Sequence, residues 1–239
     1  MTEPLYCDQS YLRECPATVI AINDGGGITL DRSVFYPTGG GQPGDCGVLV
    51  WDGGETVIAT AVKGEAANEV VHVPAEGASL PSLGAKVMAR LDWDIRYRYM
   101  RVHTALHLLS VVIPLPVTGG SISAEKGRLD FDMPEAPEDK EALEHFLNEL
   151  IAGDHAVTEE WITDAELAAN PGMVKTMTVK PPVGQGRVRL IRIGSGTATV
   201  DLQPCGGTHV GSTAEIGRVS FGKIEKKGKQ NRRVSILID

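Results

Sequence analysis

The sequence predicts an α+β protein in which a small N-terminal β-barrel is followed by an α+β domain. Three observations favour this fold class. Short β-type runs separated by turn residues fill residues 1–91, a helical pattern begins at Asp92, and strand patterns return at Ala156. Helices followed by a run of strands are typical of α+β proteins. We therefore expect two domains, at residues 1–91 and 92–239.

Residues 1–91 contain six short runs that alternate or are rich in β-branched residues, separated by Gly, Asp and Asn. The turn sequences at residues 23–27 and 51–54 fit hairpin connections. Strands this short and frequent indicate a small barrel. The predicted strands are residues 17–22, 27–31, 47–51, 56–62, 69–73 and 86–91.

Residues 92–239 contain two helical patterns. Asp92 or Asp94 is placed to cap a first helix, which extends to Ile113 before prolines stop it. A second helix is expected between Pro137 and Gly153. The other expected elements are a short helix at residues 164–169 and strands at 127–133, 156–163, 174–179, 187–193, 198–202, 218–224 and 233–238.

The composition excludes several protein classes. With 42% hydrophobic and 23% charged residues, the chain resembles an ordinary globular protein. It has no run of 18 apolar residues and no basic and apolar regions at its N-terminus, so membrane insertion and secretion are not expected. The four cysteines lack the spacing of a disulfide framework. We expect a cytoplasmic protein.

Basic residues are concentrated in two places, although the net charge is -8. An acidic protein is not expected to bind nucleic acid non-specifically. However, residues 218–233 carry a local charge of +6, and four arginines lie between residues 90 and 101. These residues either bind a polyanion or form a solvated charged surface with a Lys-rich turn.

Two pairs of metal-binding residue types lie about a hundred residues apart. His103 and His107 have the four-residue spacing that places both side chains on one helix face. Cys205 and His209 have the same spacing, but the two glycines between them favour a loop. Three imidazoles and one thiol form a ligand set that suits Zn2+ better than Mg2+ or Ca2+. The alternative is that these are unrelated buried residues.

No Glu lies between His103 and His107, where an H-E-x-x-H metalloprotease carries its general base. A protease is therefore not expected.

A glycine-rich segment, FYPTGGGQPGDCG, occupies residues 35–47. Glycine allows the backbone to approach a ligand closely and to present N–H groups to it. The segment is not a phosphate-binding P-loop, because no Gly-Lys-Ser/Thr follows. The alternative is a flexible loop.

Four motifs occur in order along the chain: the glycine-rich segment at residues 35–45, HTALHLL at 103–109, RLDFD at 128–132 and CGGTHV at 205–210. Together they resemble the editing domain of alanyl-tRNA synthetase and the freestanding AlaX alanyl-tRNA editing proteins. The resemblance covers essentially the whole chain, and the related region of threonyl-tRNA synthetase is a more distant relative. It implies a β-barrel followed by a domain of the threonyl/alanyl-tRNA synthetase second additional type.

The same resemblance implies an activity and a partner. The chain has no room for a class II aminoacylation core, so it is similar to a medium-length trans-editing protein that works without ATP. Such a protein hydrolyses the ester of alanine-specific tRNA that carries serine or glycine.

The resemblance also implies roles for individual residues. It places Thr38 where the serine hydroxyl is recognised and Gln42 near the amino-acid pocket, both as candidate catalytic residues, with Gly40 and Gly41 as further substrate contacts. The additional glycine before Gly-Gly-Gln departs from the family, which often has another small residue there. The implied zinc ligands are His103, His107, Cys205 and His209. The basic residues expected to contact tRNA are Arg96, Arg101, Lys223, Lys226, Lys227, Lys229, Arg232 and Arg233.

The chemistry leaves three functions open. An aminoacyl ester is already reactive, so a protein needs only to position it, polarise its carbonyl or activate a water molecule. Four protein ligands on tetrahedral zinc describe a structural site, whereas a catalytic site keeps one position open. The candidates are therefore an editing hydrolase, a tRNA-binding module with structural zinc, and a zinc hydrolase of small esters or amides.

Overall fold

The computed structural model describes residues 1–177 and 186–238. Contacts divide the chain into two compact units, Met1–Tyr97 and Arg98–Asp239, and this division falls inside the first α-helix. The domain boundary after residue 91 stays a prediction.

A closed six-stranded barrel forms the first unit. The strands of this unit are β1 (Glu3–Pro4), β2 (Glu14–Ile22), β3 (Ile28–Leu30), β4 (Arg32–Ser33), β5 (Gly47–Trp51), β6 (Gly54–Lys63), β7 (Val70–Pro74) and β8 (Lys86–Leu91). The barrel order is β2-β3-β7-β6-β5-β8, and its neighbouring strands are antiparallel. The short strands β1 and β4 form a separate parallel pair. The predicted small barrel is confirmed, with strand ends shifted by a few residues.

The barrel interior is filled by large apolar side chains and one histidine. Ile28, Phe35, Leu49 and Ile58 are at most 1% exposed. His72 lies among them, and its Nδ1–H donates to the carbonyl of Ile28 at 2.9 Å. Burial of the ring lowers the pKa of His72 to about 4, so this histidine is a neutral core residue.

The second unit combines helices with two antiparallel sheets. Its elements are α1 (Trp93–Val112), β9 (Val117–Ile122), β10 (Lys126–Asp132), α2 (Lys140–Ala152), β11 (Val157–Thr163), α3 (Asp164–Ala169), β12 (Arg187–Ile193), β13 (Asp201–Pro204), β14 (Val219–Lys227) and β15 (Asn231–Ile238). One sheet has the order β14-β15-β10-β9 and the other the order β11-β12-β13. The mixture of separate helices and antiparallel sheets confirms the α+β class.

Helix α1 has a defined start and a close contact with the larger sheet. The side chain of Asp92 accepts a hydrogen bond from the backbone N–H of Ile95, as expected for an N-terminal cap. A Cβ atom on Gly127 of β10 would lie only 2.7 Å from the Val102 side chain. The absence of a side chain at residue 127 therefore lets α1 lie directly on this sheet.

Several predicted elements differ from the structure. The second helix begins three residues after Pro137, because Asp139 caps it through the N–H of Ala142. The strand predicted at 198–202 is replaced by a 3-10 turn at Gly196–Ala198 and by β13. Strand β9 was not predicted, because its two central glycines do not favour a strand. Its antiparallel pairing with β10 stabilises the extended conformation.

The strand predicted at residues 174–179 is wrong for residues 174–177. Residues Pro171–Met173 form a 3-10 turn, and Thr176 then makes an isolated bridge to Val117. Residues 178–179 lie outside the described part of the chain.

In residues 1–177 and 186–238, no helix has both the length and the apolar content needed to cross a membrane.

Candidate metal centre

The four residues of the two predicted pairs meet in the second unit. One candidate ligand atom from each of His103, His107, Cys205 and His209 lies within 4.8 Å of the others. The sulfur of Cys205 is 3.5 Å from Nε2 of His103 and 3.4 Å from Nε2 of His209. The three histidines are 4–7% exposed, and Cys205 is half-buried. We call these four residues the Cys/His centre.

The loop that carries Cys205 is fixed by a buried arginine. The loop follows β13. Nη1 of Arg189 donates to the carbonyls of Cys205 and Gly207 in this loop, at 3.0 and 2.7 Å. The other end of this guanidinium pairs with Glu159 at 2.6 Å. Sequence reasoning missed Arg189, because nothing in a strand sequence indicates that its side chain supports a distant loop.

Thr104 orients the ring of His209. Its hydroxyl donates to the carbonyl of Met100 at 2.9 Å, so the same oxygen can only accept from Nδ1 of His209 at 3.2 Å. The hydrogen of His209 is therefore on Nδ1. This leaves the unprotonated Nε2 facing Cys205, as a metal ligand requires.

Asp201 orients the ring of His107 in the same way. Its Oδ2 lies 3.1 Å from Nδ1 of His107 and accepts a second hydrogen bond from Nε2 of Gln203 at 2.7 Å. Because a carboxylate only accepts, the hydrogen of His107 is on Nδ1 and Nε2 is left for the centre. Sequence reasoning missed Asp201 and Gln203, although two polar residues two positions apart on one strand just before Cys205 are a usable signal.

The electrostatics of the centre favour deprotonated ligands at two positions. Burial opposes ionisation of the Cys205 thiol, but His103 and His209 outweigh it and hold its pKa well below the usual value. Burial, together with His103, also holds the pKa of His209 well below its usual value. Thiolate and neutral imidazole are the forms that bind metal.

His107 behaves differently. Burial lowers the pKa of its ring, but hydrogen bonds to Asp201 and Cys205 outweigh burial and raise that pKa to about 9. Asp201 has the opposite shift: burial raises its pKa, whereas His107 and Lys175 outweigh burial and lower it to about 2. His107 and Asp201 thus form a strongly coupled pair, in which a bound cation would replace a proton.

The residues present fit a metal ion. Three ring nitrogens and one sulfur lie within 4.8 Å of one another, and two rings have hydrogen-bonded partners on their outer nitrogens. Nitrogen and sulfur donors suit zinc and related ions, whereas Mg2+ and Ca2+ prefer oxygen.

The glycine-rich segment forms a closed loop in the first unit. Its ends are joined by two bonds, from the N–H of Tyr36 to Asp45 Oδ2 at 2.6 Å and from the N–H of Asp45 to the Tyr36 carbonyl at 3.0 Å. Gly40 and Gly41 are exposed at its tip and have φ values of +56° and +85°, which favour glycine. Gln42 is fully buried. We call residues 36–45 the glycine-rich loop.

Thr38 is exposed, but its hydroxyl already has partners inside the loop. It donates to the carbonyl of Ala61 at 3.2 Å and accepts from the N–H of Gly44 at 2.9 Å. A hydroxyl has one hydrogen and two lone pairs, so Thr38 retains the capacity to accept one more hydrogen bond. Thr38 can therefore meet a donor, such as a substrate hydroxyl, without breaking the loop.

Arg96 cannot contact tRNA as predicted. Its side chain is completely buried, and its Nε lies 2.9 Å from both carboxylate oxygens of Asp45, which Nη2 also contacts. The guanidinium also donates to the carbonyls of Ser10 and Val34. Its positive charge is thus used inside the first unit, where it supports the glycine-rich loop.

Two more of the predicted tRNA-binding arginines have internal partners. Arg101 donates through Nε and Nη2 to the carbonyl of Ile216, at 2.9 and 2.6 Å. Arg233 makes two bonds to Asp130, at 2.7 and 2.9 Å. These guanidiniums stabilise the fold, so a polyanion would compete for them.

The hairpin formed by β14 and β15 presents the remaining basic residues. Arg232 donates to the Pro134 carbonyl, and Lys227 lies 3.7 Å from Glu225. Among the described residues, no ion pair involves the hairpin's three other lysines, all exposed: Lys223, Lys226 and Lys229. These three are the predicted residues best placed to meet an anionic surface.

Comparisons with known proteins give a family match in each of the two units. The family model described as "Threonyl and Alanyl tRNA synthetase second additional domain" matches residues 188–235, and the one described as "tRNA synthetases class II (A)" matches residues 12–95. The chain is 36% identical to the alanyl-tRNA editing protein AlaX-M of Methanosarcina mazei, over 98% of this chain and 95% of the relative.

Two further relatives have similar sequence identity over nearly the whole of this chain. AlaX-M of Saccharolobus solfataricus is 36% identical, over 98% of both chains. Alanine–tRNA ligase of Pyrobaculum neutrophilum is 33% identical over 94% of this chain, which corresponds to only 25% of the ligase. The AlaX-M relatives match this chain over nearly its whole length, and the two metal-binding motifs meet in the Cys/His centre. This chain therefore belongs to the AlaX family of alanyl-tRNA editing proteins.

Proposed function

We propose that this protein is a trans-editing hydrolase that uses zinc to remove serine or glycine from mischarged alanine-specific tRNA in the cytoplasm. The observation that carries the proposal is the Cys/His centre, whose four donor atoms lie within 4.8 Å of one another. It is supported by the names of the relatives, which are alanyl-tRNA editing proteins.

The chain supplies the centre and its orientation. The ligands are His103, His107, Cys205 and His209, and Nε2 is the ring nitrogen that Asp201 and Thr104 leave available on two of them. Zinc held there would supply Lewis acidity, either to lower the pKa of a water molecule or to polarise the ester carbonyl.

Thr38 provides selection between serine and alanine. With its hydrogen bonded to Ala61, the hydroxyl accepts from the seryl hydroxyl, and alanine offers no such donor. Glycine is distinguished from alanine by size and not by this contact, so we expect Thr38 to affect serine removal specifically.

The tRNA body is bound by the hairpin lysines Lys223, Lys226 and Lys229. They are exposed and carry charges that the described part of the chain does not neutralise in ion pairs. Flexible lysines of this kind bind phosphates mainly as point charges.

A second candidate is a tRNA-binding module with structural zinc and no turnover. One observation favours it: four protein donors fill the coordination of a tetrahedral ion, and a filled shell is typical of structural sites. Editing by this centre would require a coordination position open to the ester or to a water molecule.

Deacylation of alanine-specific tRNA charged separately with Ser, Gly and Ala distinguishes these functions. We expect the zinc-loaded protein to remove Ser and Gly rapidly and to spare Ala. Cys205→Ala, verified as folded by circular dichroism, should lose this activity. His145→Ala is the control, because His145 is an exposed histidine outside the centre. No turnover of any ester by zinc-loaded wild type would favour the binding module.

The third function, hydrolysis of small esters, predicts a different result. Its rate would not depend on the tRNA body or on added salt. Binding to tRNA through phosphates instead weakens steeply as salt is added.

A further inference from the structure

Asp201 is a buried carboxylate with three hydrogen-bonded partners. Its side chain is inaccessible to solvent. Oδ2 accepts from His107 at 3.1 Å and from Gln203 at 2.7 Å, while Oδ1 accepts from Nζ of Lys175 at 2.6 Å. Both oxygens are therefore satisfied, and the carboxylate plane is fixed between one candidate ligand and one cation.

Lys175 reaches Asp201 from a segment that is itself anchored. Its backbone carbonyl accepts from the N–H of Val117 at 3.0 Å, and the N–H of Met177 donates to the Val117 carbonyl at 2.8 Å. The ammonium also contacts the hydroxyl of Ser110 on α1 at 3.3 Å. The Lys175 side chain is 28% exposed, so this member of the network touches solvent.

The charges of this network bear directly on metal binding. A carboxylate that accepts from the outer nitrogen of a ligating histidine fixes the ring and makes its other nitrogen a better donor. A buried carboxylate without a counter-charge is costly, and the ammonium of Lys175 removes that cost. The same ammonium repels a dication, so Lys175 and Asp201 have opposite electrostatic effects on the centre.

We propose that Asp201 is a positioning residue that sets the metal affinity of the Cys/His centre through His107, and that Lys175 limits this affinity by neutralising Asp201. The inference rests on the proposed function only in taking the centre to bind zinc. It concerns affinity and not the reaction that the loaded protein catalyses.

The test is competition for zinc between the protein and a chromophoric chelator. Asp201→Asn keeps the shape and the contact with Lys175 but removes the negative charge, and it should bind zinc 10- to 100-fold more weakly. Asp201→Glu, which restores a carboxylate, should recover part of this loss. Lys175→Met should bind zinc more tightly than wild type, because Asp201 still accepts from His107 and its charge is no longer neutralised.

The double variant Asp201→Asn/Lys175→Met separates charge from geometry. It has the same net charge as wild type, so it should regain the part of the loss that is due to the uncompensated positive charge of Lys175. The part that remains measures the lost orientation of His107. Thermal unfolding in excess chelator is the control for a purely structural role, since such a role would lower the stability of the chelated variants in parallel with affinity.

Three results would overturn the inference. They are wild-type zinc affinity in Asp201→Asn, a zinc affinity in Lys175→Met that does not exceed that of wild type, and a loss of affinity that follows the loss of stability in chelator. The proposed function fails separately: if the variants behave as expected but zinc-loaded wild type deacylates no tRNA, the inference stands and the editing proposal does not.

Discussion

The Cys/His centre and the glycine-rich loop are built in opposite ways. In the centre, side chains supply the chemistry and other side chains orient them, as Asp201 does for His107. In the loop, the shape comes from backbone bonds and from positions where a side chain does not fit. Gly44 is the clearest case, because a Cβ atom there would lie 1.9 Å from the carbonyl oxygen of Ala61.

This difference predicts how each region responds to mutation. A side-chain site loses its function when a donor atom is removed, while the surrounding fold keeps its stability. A backbone site loses its shape when an atom is added. The two regions also use histidine differently: His107 has a pKa raised to about 9 by its charged neighbours, whereas burial lowers that of His72 to about 4.

Removal of one ligand should have the largest effect. Cys205→Ala deletes the sulfur, and one of four ligands contributes about 2.5 to 4 kcal/mol if structural zinc binding is shared equally among them. We expect zinc affinity to fall roughly 100- to 1,000-fold, as measured by competition with a chelator. The thermal stability of the barrel should not change. Equal zinc affinity in the variant would exclude Cys205 as a ligand.

Addition of one methyl group to the glycine-rich loop should cost a free energy of unfolding similar in size to the binding free energy lost with one zinc ligand. Gly44→Ala forces the loop away from Ala61, and we expect a loss of about 3 kcal/mol in the free energy of unfolding with unchanged zinc affinity. Gly25→Ala is the control, since its Cβ would meet only the Asn23 side chain, at 3.5 Å. A stable Gly44→Ala variant with altered zinc affinity would contradict the comparison.

Acid should destabilise the folded protein through the buried, neutral His72. The folded pKa of His72 is about 4, below the ordinary histidine value of 6.5, so the unfolded chain binds more protons between these pH values. The contribution of His72 is fully present above pH 6.5 and falls by up to about 3 kcal/mol as the pH decreases to 4.

The measurement is urea unfolding of zinc-free wild type and His72→Gln at several pH values. The free energy of unfolding should decrease less steeply in His72→Gln than in wild type as the pH falls from 6.5 to 4, whatever the absolute stability of the variant. Identical slopes in the two proteins would refute the assignment of a neutral His72.

Loss of the Thr38 hydroxyl should have a smaller effect, mainly on selectivity, although it also removes the loop bonds to Ala61 and Gly44. Thr38→Val removes the acceptor while keeping a branched side chain, and we expect the preference for Ser over Ala in deacylation to fall about 10-fold or more. Zinc affinity should be unchanged. Thr38→Ser retains the hydroxyl and should retain the preference; an unchanged ratio in Thr38→Val would remove Thr38 from serine recognition.

The hairpin lysines should have the smallest individual effects. Each of Lys223, Lys226 and Lys229 that contacts a phosphate should, when changed to Ser, reduce the slope of log affinity against log salt by roughly 1. Filter binding of tRNA at several salt concentrations measures this slope. Lys86→Ser, an exposed lysine in β8, controls for a general loss of charge. Equal changes in all four variants would argue against a specific surface.

The elements that could be predicted are those whose pattern is local. The end of α1, the short helix α3 and strand β12 were predicted from capping residues, prolines and periodicity, and the structure places them within a residue or two. Strand β9 was missed because its two glycines indicate a turn, and only its pairing with β10 makes it a strand. Arg96 was assigned to tRNA because charge is visible in a sequence, whereas its burial against Asp45 depends on the fold.

The sequence by itself determined the donor set and its two spacings, because a four-residue step on a helix and a Cys-Gly-Gly-Thr-His loop each bring two ligands together locally. Only the tertiary structure decided that the pairs meet. It also selected Asp201, Thr104 and Lys175 as their outer partners. The physical reason is that hydrogen bonds and buried charges depend on distances of about 3 Å, and residues 26 to 105 positions apart in the chain reach such distances only through packing.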